Sequence, residues 1–319
     1  MKAEDIKKVA SIGGGVIGGS WTVLFAMHGK EVTLFDINDD ALAADEKTIV
    51  SNLDSLVEFK AITAADKDAI LKRIHFTTDI AEAVKDAQFI QESGPERLNI
   101  KQDNLAKVEA AAPADAIFAS SASGLPITEI CANAVHPERC IGGHPYNPPH
   151  LIPLVEITKN DKTTDETLAV AKAFYESVGK EAVILNKPVP GYISNRLQLA
   201  VFRECIDLVM NGVCSVEDVD KALTFGPGIR WAIFGHNMIM QLGNKDGIKG
   251  MIDMLGGGYN LCADIAAWDT IPDSYGALAQ AQVDEMMKNF PDSVGHNNAD
   301  IAKYRDEMLI NILKLHGKF

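Results

Sequence analysis

The feature that most constrains this chain is a glycine-rich run, Gly13-Gly14-Gly15-Val16-Ile17-Gly18, between two apolar segments. The segment before it, Lys8–Ile12, is typical of a short strand, and residues 16–28 are typical of a helix closed by a glycine. A second apolar segment, Glu31–Phe35, then brings Asp36 to the end of another strand. This order of strand, turn, helix and strand predicts the first unit of an open, doubly wound sheet.

Three of the glycines in this run, spaced as G-x-G-x-x-G, each have a structural role in such a unit. Gly13 permits a tight turn, Gly15 lets the backbone approach a pyrophosphate, and Gly18 lets the helix pack closely against the strand. The backbone N–H groups of Val16 and Ile17 begin the helix and would face the phosphate charge. A bare G-x-G-x-x-G is weak evidence, but its place between a strand and a helix makes it a strong signal for a dinucleotide site.

Asp36 indicates which dinucleotide is bound. Its carboxylate can accept hydrogen bonds from both ribose hydroxyls and would repel the 2′-phosphate of NADP. The sequence has no Arg between Asp36 and Arg73 that could accommodate that phosphate. The prediction is therefore an NAD site, and we expect Ser93 and Ser121 to belong to it as well.

Composition argues against several kinds of partner. A net charge of −14 argues against nucleic acid and anionic membranes, and no apolar run is long enough to cross a bilayer. The first predicted strand begins within ten residues of Met1, which leaves no room for a signal peptide. The His residues are scattered, so no metal site is expected. The cysteines are odd in number and lack C-x-x-C spacing, which favours free thiols and a cytoplasmic protein; they are Cys131, Cys140, Cys205, Cys214 and Cys262.

Strand-like and helical segments alternate along the first part of the chain. The predicted strands are residues 8–12, 31–35, 74–77, 88–92, 116–120, 140–143, 154–158 and 182–185. Strand signals nearly vanish after the proline-rich stretch at residues 187–191. We therefore predict an α/β fold with a Rossmann-type, largely parallel sheet over residues 1–188, followed by an all-α domain over residues 189–319.

Two ionisable residues stand out in the later predicted strands. His144 ends one strand, and Glu156 interrupts the apolar run at residues 151–157, where a carboxylate must face water or pair with another group. Imidazole suits a base that takes a hydroxyl proton as hydride leaves, and a carboxylate on its second nitrogen would fix the tautomer. The two residues form a candidate catalytic dyad; the alternative is that His144 caps a strand and Glu156 faces solvent.

The same segments carry a resemblance to a known family. The chain resembles the 3-hydroxyacyl-CoA dehydrogenases over nearly its whole length, through H-P-Y-N-P-P at residues 144–149, the later Glu156, and P-G-Y-I-S-N-R-L at residues 190–197. The resemblance implies that His144 and Glu156 are the catalytic pair. It also implies an NAD-dependent oxidoreductase acting on a small 3-hydroxy acid. By the same resemblance we expect the C-terminal domain to serve substrate binding and to form a homodimer.

The resemblance assigns four further polar residues. Ser123 and Asn195 would lie around the substrate oxygen, although either could be a local turn or cap residue. Glu96 and Lys101 match positions on the nicotinamide side of the cofactor, with an ordinary charged helix start as the alternative.

Within the family, the chain resembles the branch that acts on free hydroxy acids, such as carnitine 3-dehydrogenase and L-gulonate 3-dehydrogenase. Residues 120–123 read S-S-A-S where the acyl-CoA enzymes carry S-N-T-S, and residues 226–232 and 304–309 match the free-acid branch. Arg230 would hold a free carboxylate, a charge that a thioester lacks; the alternative is a structural ion pair.

Aromatic residues bear on the choice of acid. A quaternary ammonium needs aromatic faces, which Tyr146, Trp231 and Phe234 could supply, although core packing would explain Trp231 and Phe234 equally well. Residues 89–98 and the Arg230-Trp231 pair resemble the carnitine enzymes more than the gulonate enzymes, so L-carnitine ranks first among the expected substrates, ahead of L-gulonate and other small hydroxy acids. Two other functions stay open, an L-3-hydroxyacyl-CoA dehydrogenase and a non-catalytic NAD-binding protein like the lens crystallin of this family.

Overall fold

The computed structural model describes residues 1–256 and 275–318. The chain divides into two compact units, one formed by Met1–Ile193 with Asp306–Phe319 and the other by Ser194–Arg305. The domains predicted from the sequence, residues 1–188 and 189–319, remain a prediction. The two compact units differ from them chiefly in the last residues, which group with the first unit.

One sheet of eight strands forms the centre of the first unit, in the order β3-β2-β1-β4-β5-β6-β7-β8. Neighbouring strands are parallel except β6 and β7, which pair antiparallel. The strand order reverses between β1 and β4, and at such a point ligands bind beyond the carboxyl ends of the strands. The strands are β1 (Lys8–Ile12), β2 (Glu31–Phe35), β3 (Ile74–Thr77), β4 (Phe89–Glu92), β5 (Ile117–Ser120), β6 (Cys140–Pro145), β7 (Leu154–Lys159) and β8 (Glu181–Ile184). The predicted Rossmann-type, largely parallel sheet is confirmed.

Helices connect the strands of the first unit, and several begin at a polar residue whose side chain accepts a backbone hydrogen bond. Asn38, Thr63, Asp79 and Thr164 act in this way. The helices are α1 (Gly15–Met27), α2 (Asp39–Glu58), α3 (Ala64–Leu71), α4 (Ile80–Val84), α5 (Leu98–Ala111), α6 (Ile127–Ile130) and α7 (Asp165–Ser177).

Apolar side chains cover both faces of this sheet. On one face, Trp21 and Phe25 of α1 stack on each other and pack with Phe89 of β4 and Phe174 of α7. A second cluster, around Ile90, uses the alternate residues of the same strands. Because parallel strands buried on both faces carry near-continuous apolar runs, the strands are readable from the sequence.

The second unit is helical throughout its described residues. Ser215 and Asp218 cap α9 reciprocally, and Ile206, Val209 and Val216 form a small core. The helices are α8 (Ser194–Met210), α9 (Val216–Leu223), α10 (Ile229–Trp231), α11 (His236–Leu242), α12 (Gly247–Gly256), α13 (Tyr275–Lys288) and α14 (Asn298–Leu315), whose last residues group with the first unit.

The described helices include none that is both long and apolar enough to span a membrane. Four cysteines are free thiols, and Cys262 lies outside the described residues. Among the residues described, no three His, Cys, Asp or Glu side chains are grouped so that they could hold a metal ion.

Candidate active site

The glycine-rich turn joins β1 to α1 and has the backbone conformation that glycine allows. Gly13 and Gly15 have φ angles of +86° and +62°, in the left-handed region that disfavours other residues. A side chain at Gly18 would collide with the carbonyl oxygen of Gly13. The N–H groups of Val16 and Ile17 lie in the first helical turn, where a helix offers them no acceptor.

Asp36 ties the end of β2 to this turn. Its Oδ2 accepts a hydrogen bond from the Gly14 N–H at 2.8 Å, and its Oδ1 accepts one from Ile37 N–H at 2.6 Å. The Gly13 N–H donates to the Phe35 carbonyl at 2.8 Å. The carboxylate that sequence analysis assigned to the ribose therefore also positions the turn, a contact that the sequence pattern did not predict.

Asp45 of α2 is a second carboxyl group at the turn, and sequence analysis missed it. Its Oδ1 accepts a hydrogen bond from the Gly15 N–H at 2.6 Å, and the residue is 4% exposed. It shares the buried face of α2 with Ile49 and Leu53. The sequence signal that could have located Asp45 is its helical spacing, four and eight residues before the apolar Ile49 and Leu53.

The turn fits a dinucleotide. A Cβ atom at Gly15 would have no atom within 4 Å, so the backbone there is open to a ligand. The helix start offers N–H groups that could bind a pyrophosphate, and Asp36 would supply an acceptor for a ribose. Gly13, Gly15, Val16, Ile17 and Gly18 would hold the phosphates.

Ser93 and Ser121 follow β4 and β5, and their Oγ atoms lie 2.9 Å apart. Ser121 Oγ also accepts hydrogen bonds from Trp21 Nε1 at 3.2 Å and from Gln91 Nε2 at 2.8 Å. Gln91 Oε1 in turn accepts one from the buried Tyr175 hydroxyl at 2.6 Å. The structure therefore brings both serines together in one hydrogen-bond network, which extends through Gln91 to the buried Tyr175.

Lys101 lies in a buried ion pair. Its Nζ is 3.0 and 2.9 Å from the two carboxylate oxygens of Glu92, and it donates to the Gly94 carbonyl at 3.1 Å. Lys101 is 1% exposed. The contact with the nicotinamide side that sequence analysis assigned to Lys101 stays a prediction, and the structure gives its ammonium a role in holding β4.

Glu96 holds the loop that follows β5. Its Oε1 accepts hydrogen bonds from the Gly124 N–H at 2.6 Å and the Leu125 N–H at 3.1 Å. This contact places Glu96 beside the loop that carries Ser123, which is itself exposed. Direct contact of Glu96 with the cofactor also stays a prediction.

His144 and Glu156 face each other across the antiparallel pair β6–β7. His144 Nδ1 lies 3.2 Å from Glu156 Oε2, and Glu156 Oε1 accepts a hydrogen bond from the Ile193 N–H at 2.8 Å. Glu156 is 1% exposed and His144 is 6% exposed, so the solvent-facing alternative for Glu156 does not occur. With a carboxylate at Nδ1, Nε2 is the ring nitrogen that remains for a second hydrogen-bond partner.

Tyr192 fixes the other side of the imidazole. Its ring stacks on that of His144, with 4.2 Å between centroids and 9° between planes. The Tyr192 hydroxyl donates to the Ala122 carbonyl at 2.7 Å, which connects the histidine to the loop of Ser123. Burial raises the pKa of Tyr192 to about 12, so the phenol stays neutral. The motif at residues 190–197 contains this tyrosine but did not predict a role for it.

Tyr146 follows His144 by two residues and is half-buried. Burial raises the pKa of its phenol, and the nearby Glu156 carboxylate adds to that shift. Tyr146 thus carries a neutral aromatic ring close to the carboxylate of the pair.

The remaining candidates lie in the second unit. Asn195 is in the first turn of α8, and Arg230 and Trp231 are on α10. The exposed Arg230 side chain makes no ion pair with any of residues 1–256 and 275–318. The structural ion pair that was the alternative role for Arg230 is therefore not found among these residues. Trp231 Nε1 lies 3.0 Å from His236 Nδ1, and Phe234 is 48% exposed.

The sheet order, the glycine-rich turn and Asp36 together define a Rossmann-type dinucleotide-binding domain. The chain belongs to the 3-hydroxyacyl-CoA dehydrogenase family. Residues 8–188 match the model of the family's NAD binding domain, and residues 191–260 match that of its C-terminal domain.

Named relatives are similar over nearly the whole chain. An L-carnitine dehydrogenase from Streptomyces griseus is 36% identical over 317 residues, which cover 99% of this chain and 91% of that protein. One from a Pseudomonas species is 37% identical over 314 residues, covering 98% and 94%. The crystal structure of 5-formyl-3-hydroxy-2-methylpyridine 4-carboxylic acid 5-dehydrogenase, an NAD+ dependent dismutase, has a TM-score of 0.79 at 27% identity and covers 97% and 98%. The predicted family, cofactor and enzyme class are confirmed.

Proposed function

We propose that this enzyme oxidises the hydroxyl group of a small free L-3-hydroxy acid, with L-carnitine as the first candidate, to the 3-keto acid. The observation that carries the chemistry is the buried His144–Glu156 pair, with Nδ1 and Oε2 at 3.2 Å. Support for the substrate comes from the L-carnitine dehydrogenases that are 33–37% identical to this chain.

The dyad works through both imidazole nitrogens. When bound, NAD supplies the hydride acceptor. His144 takes the hydroxyl proton on Nε2 as the carbon–hydrogen bond breaks. Glu156 holds the proton on Nδ1 and stabilises the imidazolium, while Ile193 N–H keeps its other oxygen in place. The stacked Tyr192 ring restricts rotation of the imidazole.

Polar and aromatic side chains would orient the substrate. Ser123 and Asn195 are proposed to bind the reacting oxygen, and Arg230 the carboxylate. A guanidinium fork matches a carboxylate with two parallel hydrogen bonds. The ammonium of carnitine is proposed to lie against Tyr146, Trp231 and Phe234, because a quaternary ammonium binds aromatic faces.

A substrate screen tests this proposal. The purified enzyme is given NAD with L-carnitine, L-gulonate, 3-hydroxybutyrate or 3-hydroxybutyryl-CoA, and NADH absorbance is followed. The highest kcat/KM is expected with L-carnitine. A higher value with the thioester would instead assign the enzyme to the acyl-CoA branch, and no turnover with any hydroxy acid would favour a non-catalytic NAD-binding protein.

Replacement of Asp36 by Ala is expected to narrow the preference for NAD over NADP by about 10-fold or more, since juxtaposed like charges cost several kcal/mol. The ratio of the two kcat/KM values is the measurement to make, because loss of the Gly14 contact affects both cofactors alike. Asp39→Ala, which removes an exposed acid at the start of α2, should leave the ratio unchanged. A wild-type enzyme that uses both cofactors equally would contradict this role of Asp36.

We also propose a homodimer formed through the C-terminal domain and a cytoplasmic location. The free thiols of the four described cysteines are compatible with that location. Sedimentation of the purified protein tests the dimer.

A further inference from the structure

Asp45 is a buried carboxyl group that the dehydrogenase chemistry does not use. Its Oδ1 accepts the hydrogen bond from Gly15 N–H, whereas its Oδ2 is buried and has no hydrogen-bond partner among the described residues. The carboxyl group packs directly on the turn, since a side chain at Gly14 would collide with it. It therefore lies against the backbone that a dinucleotide must approach.

Two carboxyl groups hold consecutive N–H groups of this turn. Asp36 accepts the hydrogen bond from Gly14 N–H and Asp45 accepts the one from Gly15 N–H. Burial raises the pKa of Asp45 to about 6, the Gly15 hydrogen bond opposes that shift, and the neighbouring Asp36 carboxylate adds to it. Like-charged carboxyl groups in a partly dry site favour retention of one proton.

No described cation balances this carboxyl pair. Helix α1, which packs on α2, has no charged side chain between Gly15 and Met27. On α3, Lys67 forms an ion pair with Asp54, and Asp66 caps its own helix. The third charged residue of α3, Asp68, is an acid. On α2 itself, Glu46 and Lys47 beside Asp45 are exposed.

We propose that Asp45 is a positioning residue of the NAD site that holds the turn through Gly15 and links cofactor binding to the uptake of one proton. The pyrophosphate brings negative charge to the start of α1, which disfavours an ionised Asp45. A protonated Asp45 can still accept from Gly15 N–H with its carbonyl oxygen and can donate its hydroxyl hydrogen to Asp36. Cofactor binding thus moves one proton from solvent onto the Asp45 carboxylate. This proton uptake does not depend on which substrate the enzyme oxidises.

The sign of the pH dependence follows from this linkage. In the free enzyme Asp45 is ionised above about pH 6. The negative charge of the bound pyrophosphate should raise this pKa further. Affinity for NADH is therefore constant below that pH, falls as the pH rises between the free and bound pKa values, and levels off above both. Within this window the Kd increases by at most about tenfold per pH unit, since one proton is exchanged.

The test is a fluorescence titration with NADH at several pH values, with proton uptake measured by calorimetry in two buffers of different ionisation enthalpy. For the wild type we expect the Kd to rise severalfold between about pH 6 and pH 8, with proton uptake on binding. Asp45→Asn keeps an acceptor for Gly15 and a donor for Asp36 without a charge. Its Kd should stay at the low-pH value of the wild type, without proton uptake.

Glu46→Gln is the matched control, because it removes the exposed acid next to Asp45 and should keep the wild-type slope. Asp45→Ala, which leaves Gly15 N–H without its acceptor, should bind NADH more weakly than Asp45→Asn at every pH. A wild-type Kd that does not change with pH, or a slope retained in Asp45→Asn, would overturn the proposal. If Asp45→Asn does not fold, Asp45→Ser takes its place with the same expected loss of slope.

Discussion

Replacement of His144 by Gln is expected to lower kcat by about 10²–10⁴-fold, the usual contribution of a positioned general base. Glutamine fills a similar volume but cannot take up the hydroxyl proton. NADH binding should stay near the wild-type value, because His144 is on β6, three positions in the sheet from β1, and the glycine-rich turn proposed to hold the cofactor follows β1. Steady-state kinetics and an NADH titration measure the two effects separately.

Two further variants serve as comparisons for the His144→Gln result. His75→Gln removes the contact between His75 of the edge strand β3 and Glu31 of β2, and it should leave kcat unchanged. Glu156→Gln should also slow turnover, because it removes the charge that supports the imidazolium. If the His144 variant kept most of its activity, the proposed base would be wrong.

Replacement of Arg230 by Met is expected to raise KM for the free acid by about 10²-fold, in line with the 2–5 kcal/mol lost when a hydrogen-bonded charge pair is truncated. The methyl ester of the same hydroxy acid lacks the carboxylate charge, so its KM should change much less. The ratio of the two KM values therefore reports on the carboxylate contact.

A structural role for Arg230 would give a different result. Loss of a structural contact lowers stability and reduces activity toward the acid and the ester together. Lys249→Met removes an exposed cation of α12 in the same unit and should change neither KM. An unchanged ratio in the Arg230 variant would contradict the carboxylate contact and favour the thioester as substrate.

The first part of the fold was predictable because its signals are local. The boundaries of β1, α1 and β2 follow from the glycines and from Asp36, which act within a few residues of their positions in the chain. The remaining strands agree with prediction to within about two residues, and among them β4 to β7 carry apolar runs that are buried on both faces.

The antiparallel pairing of β6 and β7 was not predictable in the same way. A spacing of twelve residues allows His144 and Glu156 to meet but does not require it. Only the strand register, which depends on the whole sheet, places them opposite each other. The resemblance to a family suggested the pair, whereas the residues alone left the solvent-facing alternative open.

Buried polar groups with distant partners were the features that sequence analysis missed. Asp45 meets Gly15, Tyr192 meets His144, and Lys101 meets Glu92 only after the helices have packed. A charged residue gives the same composition signal on a surface or in a core, so its partner cannot be read from periodicity. For Lys101 the ion pair with Glu92 is an added contact, and the cofactor contact expected from the sequence stays a prediction.

The return of the chain to the first unit has a consequence for biosynthesis. Ile310 and Leu313 are buried in the core of that unit, and Lys314 Nζ donates to the Phe59 carbonyl at 2.8 Å. Residues 194–305 are therefore inserted, in order of synthesis, between two parts of one core. A nascent chain contains every strand of the sheet once residue 184 has been synthesised. The core of the first unit can be completed only after residues 194–305 and the end of α14 have left the ribosome.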